Sequence, residues 1–208
     1  MTGKGSVNHN SRKFHAKNTD PERSYLNLEY CNENIKDVYH ELFDEALARY
    51  NEKQTRNDRI IDDYYEKICS RKQEKPFHEI ILQIGNKDDM GSKTEDGRLA
   101  AKILDEYMQD FQRRNPTLRV FSAYLHMDEA TPHLHIDFIP YTTGSKRGLE
   151  KRVSQKRHLR NLALKVAQGA KQSVISGWWQ KRNSLRILCY SMVLSGRKRE
   201  HMKNTCLF

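Results

Sequence analysis

The chain has 208 residues, of which 37% are hydrophobic, with a mean hydropathy of −0.90 and a formal net charge of +10. No apolar run approaches the length of a membrane span and no signal-peptide core stands near Met1, so one cytoplasmic domain without a membrane segment is the expectation. The charge does not by itself argue for nucleic acid: residues 158–208 hold ten Lys/Arg against one Glu, which leaves 27 basic and 26 acidic groups in residues 1–157. Cys31, Cys69, Cys189 and Cys206 show no paired spacing, as expected of free thiols in a reducing compartment.

In chain order, residues 1–20 are polar and read as a loop or short edge strand. Residues 24–31, SYLNLEYC, alternate as a strand does, with Tyr25, Asn27 and Glu29 on one face. Residues 34–51 carry a helical stripe of Ile35, Val38, Leu42, Phe43, Ala46 and Tyr50, with Asn32 or Asn34 as the cap. Ile60, Ile61, Tyr64 and Ile68 predict a second helix over 57–72. FHEIILQI, residues 77–84, reads as a buried strand closed by Gly85, and residues 86–94 as a loop. Leu99, Ile103, Leu104, Tyr107 and Phe111 predict a third helix over 95–114, stopped before Pro116. Together with the two strands that follow, this is an α+β pattern: a central, mainly antiparallel sheet with packed helices.

Those two strands carry the most informative segment, HMDEATPHLHIDFIP at residues 126–140. Strand alternation points His133 and His135 to one face and Leu134, Ile136 and Phe138 to the other. The preceding run from Val120 to His126 is also strand-like, and the few residues from Met127 to Pro132 suit a hairpin connection. His126 then stands beside the His133/His135 pair. Three imidazoles on adjacent strands make an open three-nitrogen metal site, which favours catalysis over a structural role. By ligand chemistry alone, zinc or another transition ion suits it, and a metal hydrolase acting on small substrates is one reading. The apolar residues Leu125, Leu134, Ile136 and Ile139 place this hairpin centrally rather than at an edge.

The segment from His126 to His135, followed by an apolar run and Pro140, resembles the third motif of the MobV/Pre relaxases, the plasmid mobilization or plasmid recombination proteins. His9-Asn10-Ser11-Arg12 is similar to their first motif. Arg23, Leu26, Asn27 and Glu29 are similar to the second. The resemblance covers about residues 4–157. It implies a relaxase-like fold of the histidine–hydrophobic–histidine endonuclease class. The implied activity is nicking and rejoining of single-stranded plasmid DNA at an origin of transfer, through a covalent 5′-phosphate intermediate, alongside the conjugation machinery. It further implies manganese or magnesium on His126, His133 and His135, and His9 as the attacking group, with Tyr25 and Tyr124 as alternatives. Glu129, with Asp128 behind it, is the candidate to orient His9; metal ligation is its other possible role. Arg12, Arg23 and Asn27 are candidate DNA contacts, Asn27 and Glu29 alternatively supporting the site from the strand. Lys146, Arg147, Lys151 and Arg152 form a basic loop that can grip the DNA backbone.

The resemblance is expected to stop near Arg157. The charge step and the paired Trp178 and Trp179 beyond it fit a single-base deletion, so residues 158–208 are expected to be an out-of-frame, poorly ordered basic tail. On that expectation the shortened chain is either an active relaxase or an inactive DNA-binding remnant. The nucleotide sequence around the Arg157 codon decides the frame.

Overall fold

The structure, a computed structural model, describes residues 7–14, 16–72, 74–154 and 187–190. Its sheet contains β1 (Leu28–Asn32), β2 (His78–Ile84), β3 (Leu118–His126), β4 (His133–Thr142) and β6 (Ile187–Tyr190) in the order β1-β3-β4-β2-β6. The short β5 (Arg152–Val153) pairs with β4, and every pairing is antiparallel. The histidine hairpin is therefore central, as its apolar alternation requires. β6 is the one part of the basic tail among the described residues, and its backbone pairs with Ile81–Ile84 of β2. The expectation of a poorly ordered, out-of-frame tail otherwise lies outside the described residues. Among the described residues no helix is long and apolar enough to cross a membrane.

Helices cover both faces. On one, α4 (Glu95–Gln109) and α5 (Phe111–Arg114) pack Ala100, Leu104, Met108 and Phe111 against Leu125, Leu134, Ile136 and Phe138. On the other, α2 (Ile35–Asn51) and α3 (Tyr64–Ser70) pack over Phe121, Ile139, Leu149 and Val153. That second face is divided along the length of β4. Its Thr142 half is apolar and covered by α2 and α3; its His133 half carries His133, His135 and Asp137. The short helix α1 (Val7–Asn10) reaches the polar half, where the polar N-terminal loop or edge strand was expected.

Three predicted elements differ. The strand expected over 24–31 begins at Leu28, because Pro21–Leu26 forms a 3-10 turn with proline at its start. That turn is held by the hairpin loop: the Ser24 hydroxyl donates to Asp128 Oδ2 at 2.9 Å. The helix expected over 57–72 is a 3-10 turn, Asn57–Arg59, and then α3. Here the Asn51 carboxamide brackets the Ile61 backbone, donating to its carbonyl at 2.8 Å and accepting from its N–H at 3.1 Å. Asp63 restarts the helix by capping Glu66 N–H at 3.0 Å. The helix expected over 95–114 breaks at Asp110, whose carboxylate pairs with Arg113 at 2.6 Å.

Thr94 caps α4, accepting from Gly97 N–H at 3.0 Å. A Cβ on Gly97 would collide with the carbonyl of Gly91, in the loop that carries Ser92 to the hairpin. Gly97→Ala is expected to destabilise the chain by about 1–3 kcal/mol, the usual effect of overpacking against backbone. The check is a lower urea midpoint at unchanged m-value.

Candidate active site

His126 on β3 lies opposite His133 on β4 in the strand register, and His135 lies opposite Ile81 of β2. The three rings are buried, with centroids 4.8–5.2 Å apart. One ring nitrogen from each falls within 4.8 Å of the others, so the group can hold a metal ion. The hydrogen bonds at the opposite sides of the rings define which lone pairs remain. His126 Nε2 donates to the Asn10 carbonyl at 2.9 Å, His133 Nδ1 to the Thr131 carbonyl at 2.8 Å, and His135 Nδ1 to Glu79 Oε1 at 2.7 Å. His126 Nδ1 and His135 Nε2 are left buried without a hydrogen-bond partner. These buried, unpartnered imidazole nitrogens fit a metal site, because a bound ion would take both lone pairs. Burial, reinforced by His135, lowers the pKa of His126 to about 3 and also lowers that of His133. Both rings are thus neutral, the form that ligates.

Behind the histidines stand two carboxyls that the sequence reading did not single out. Glu79 and Asp137 face each other across β2 and β4. The Asn10 amide donates to both, at 2.9 Å to Glu79 Oε1 and 3.1 Å to Asp137 Oδ2. Burial, helped by the nearby Glu79, pushes the Asp137 carboxyl up to about 7. Burial, the largest single influence, would raise Glu79 too, but the hydrogen bond and charge of His135 together with the Asn10 hydrogen bond outweigh it and the pKa is lowered. A signal for both was present. His133, His135 and Asp137 recur every second residue in an apolar strand, and Glu79 is acidic inside FHEIILQI.

His9 enters from α1. Its ring centroid lies 6.2 Å from that of His126 and 6.3 Å from that of His135. The turn that places it closes on Arg12, the non-glycine residue with positive φ (51°) among the described residues. Arg12 N–H donates to His9 O at 3.1 Å and Lys13 N–H to Asn8 O at 3.0 Å. This helix end normally takes glycine, and arginine there costs about 1 kcal/mol in backbone strain. The compensation is the reach of its side chain. The Arg12 guanidinium forks onto Asp128 at 2.6 and 2.9 Å, reaches Glu129 Oε1 at 2.9 Å, and lies 3.2 Å from His9 Nε2. Burial and then Arg12 lower the pKa of His9, keeping its ring neutral. Glu129 Oε1 sits between the two halves, 3.6 Å from His9 Nε2 and 3.7 Å from His133 Nε2, beyond hydrogen-bond length from either. Asn18 donates to its other oxygen at 2.6 Å. Burial opposes ionisation of Asp128, but the hydrogen bonds from Arg12 and Ser24 and the charge of Arg12 hold its carboxyl well below the usual range.

The remaining sequence candidates fall into two groups. Arg12 and Asn27 are engaged with the hairpin loop. The Asn27 carboxamide accepts from Met127 N–H at 2.6 Å and Asp128 N–H at 3.2 Å. Arg23 donates to Ser92 O at 2.9 Å, and the Ser92 hydroxyl donates to the Glu129 carbonyl. Lys146 and Arg147 are exposed beyond Thr142, at the opposite end of β4 from the histidines. At about 3.3 Å per residue, Thr142 lies roughly 23 Å along the strand from His135. Tyr25 is 81% exposed on the 3-10 turn, whereas Tyr124 is buried in β3 beside His126 with its hydroxyl pKa raised by that burial.

A family model described as plasmid recombination enzyme matches residues 29–175. The match takes in β1 from Glu29 onward, β2 and the whole histidine hairpin and runs past Arg157, where the resemblance was expected to stop; it starts after His9 and Arg12. Three solved structures of the MobM relaxase domain, each Mn-bound and holding plasmid pMV158 oriT DNA, are similar to this chain. One, at pH 5.5, is 23% identical over 81% of this chain and 79% of that chain, with a TM-score of 0.46. The second, with a 3′-thiophosphate at pH 6.8, and the third, at pH 4.6, are 21% identical over 94% of this chain and 87% of theirs, with TM-scores of 0.44 and 0.46. No curated protein matches significantly. A family match across more than half the chain, which includes the strands that bear His126, His133 and His135, shows that this chain belongs to the plasmid recombination enzyme (Mob/Pre) family.

Proposed function

We propose that the chain is a plasmid-mobilization relaxase that nicks and rejoins single-stranded DNA at an origin of transfer by transesterification, with His9 as the attacking group. The observation that carries this reading is the position of a neutral His9 ring edge-on beside His126 and His135, with ring centroids 6.2 and 6.3 Å away. His126, His133 and His135 would hold a divalent ion, manganese or magnesium by family resemblance, which would supply Lewis-acid polarisation at the scissile phosphate. The His9 lone pair forms a P–N bond to the 5′ phosphate. The P–O3′ bond breaks, its electron pair stays on the 3′ oxygen, and that oxygen takes a proton from solvent. Glu129 stabilises the positive charge that develops on His9, and Arg12 holds both in place. Reversal, with a 3′ hydroxyl displacing His9, rejoins the strand. Every residue of this scheme lies in residues 1–157; the tail from residue 158 supplies none.

The test is a 3′-end-labelled single-stranded origin oligonucleotide incubated with the full chain and Mn²⁺, resolved under denaturing conditions. The expected product is a protein–DNA adduct stable to alkali and released by mild acid, as a phosphoramidate is. An acid-stable adduct would instead assign the attack to a tyrosine. DNA binding with no adduct would make the chain an inactive DNA-binding remnant.

Lys146 and Arg147 are proposed to hold the DNA backbone at a distance from the chemistry. Their double alanine variant is expected to weaken DNA binding and to reduce the slope of log K against log salt by about 1.4, at roughly 0.7 per single-stranded phosphate contact. Affinities measured over a NaCl series read this directly.

A further inference from the structure

We propose that Asn10 is a positioning residue that couples seating of the His9 turn to metal binding by the three histidines. The proposal rests on the metal-site reading given above. Asn10 is 1% exposed, and it meets the groups behind two of the three histidines. Its main-chain carbonyl accepts from His126 Nε2 at 2.9 Å, which leaves the Nδ1 lone pair available. Its side-chain amide donates to Glu79 Oε1, the same oxygen that accepts from His135 Nδ1 and thereby leaves Nε2 available. The second bond of the same amide nitrogen goes to Asp137. One residue therefore braces three strands at once, through Glu79 on β2, His126 on β3 and Asp137 on β4.

The residue type follows from this position. Two carboxyls face it, so a donor with no negative charge is required; aspartate would add a third carboxyl. Alanine would leave Glu79 and Asp137 facing each other without a donor between them. Serine offers a single donor on a shorter arm, and glutamine adds a methylene to a fully packed position. Because the residue before Asn10 is His9, the strut that orients the ligands also fixes the base of the attacking side chain. Two binding events that share a brace are linked, and the linkage is reciprocal. Seating the turn tightens metal binding, and metal binding tightens the turn.

The test uses the full chain and Mn²⁺ alone. Calorimetric titration compares the unaltered protein with Asn10→Ala, Glu79→Gln, their double variant, and His133→Ala as a ligand control. Asn10→Ala is expected to weaken Mn²⁺ binding about tenfold or more, as loss of a partner behind a ligand does. The double variant is expected to bind no more weakly than Glu79→Gln alone, because both act through one contact. In the unaltered protein, Mn²⁺ is expected to slow tryptic cleavage after the exposed Lys13, and in Asn10→Ala it is not. The proteolysis of the unaltered protein decides the matter even where a variant fails to fold. Mn²⁺ binding by Asn10→Ala equal to that of the unaltered chain, with binding lost in His133→Ala, overturns the role of Asn10. So does a Lys13 cleavage rate in the unaltered chain that ignores Mn²⁺. Undiminished Mn²⁺ binding by His133→Ala would overturn the metal-site reading itself, and the proposal with it.

Discussion

His9→Ala is expected to abolish the covalent DNA adduct, reducing strand cleavage about 10³-fold or more, while the fold and the metal affinity stay intact. The size follows from the role: a nucleophile has no substitute within its own reaction, and loss of one typically removes most of the rate enhancement. The selectivity follows from position. The His9 side chain is 24% exposed, at the mouth of the site, and its neighbour Phe14 is 51% exposed. Its removal opens no core cavity, so stability should change by less than about 1 kcal/mol. Mn²⁺ affinity should be retained because the three ligands are braced by Asn10, Thr131 and Glu79 rather than by the His9 ring. Free imidazole added to the variant should restore cleavage without attaching protein to the DNA. An adduct that persists in His9→Ala and disappears in Tyr25→Phe would move the nucleophile to the 3-10 turn.

The second large effect is structural. Asp128→Ala is expected to destabilise the chain by about 3 kcal/mol, the lower end of what breaking one half of a buried ion pair costs. The Asp128 side chain is fully buried and that of Arg12 is 10% exposed, so the guanidinium loses a partner that water cannot replace. Arg12 keeps Glu129, which is why the lower end applies. Tm should fall by roughly 6–12 °C for a chain of this size. The same substitution frees the N-terminal turn, so adduct formation should fall with it. A pH dependence accompanies this. The folded pKa of Asp128 is depressed below the ordinary aspartate value of about 3.9. The unfolded chain therefore takes up the proton first, and the stabilisation is complete above about pH 3.9 and lost as pH falls through the folded pKa. Denaturant midpoints should show a shallower acid limb in Asp128→Ala than in the unaltered chain. Equal limbs would mean that the Arg12 fork contributes little.

The parts of the site legible in the sequence are those with a local period. His133, His135 and the opposing Leu134, Ile136 and Phe138 are separated by strand alternation, and the apolar set alone requires a central hairpin. His126 joins them because a short connection brings two neighbouring strands into register. The helix over 35–51 is legible for the same reason, with its Asn34 cap and one apolar stripe. Where the local pattern misled, a side chain from elsewhere had taken the backbone's hydrogen bonds. Asn51 holds Ile61 extended inside a helical stripe, and Asn27 and Ser24 tie a strand-like segment to the hairpin loop as a 3-10 turn.

What the sequence by itself determined is the histidine cluster and the face it occupies, because those depend on residues one or two positions apart or across one short loop. What only the tertiary structure decided is who stands behind that cluster. Asp128 is 116 residues from Arg12, and Asn10 is 69 residues from Glu79 and 127 from Asp137. Which carboxylate meets which donor over such separations depends on the pairing of β2 with β4 and the docking of a four-residue helix, and no local period encodes either.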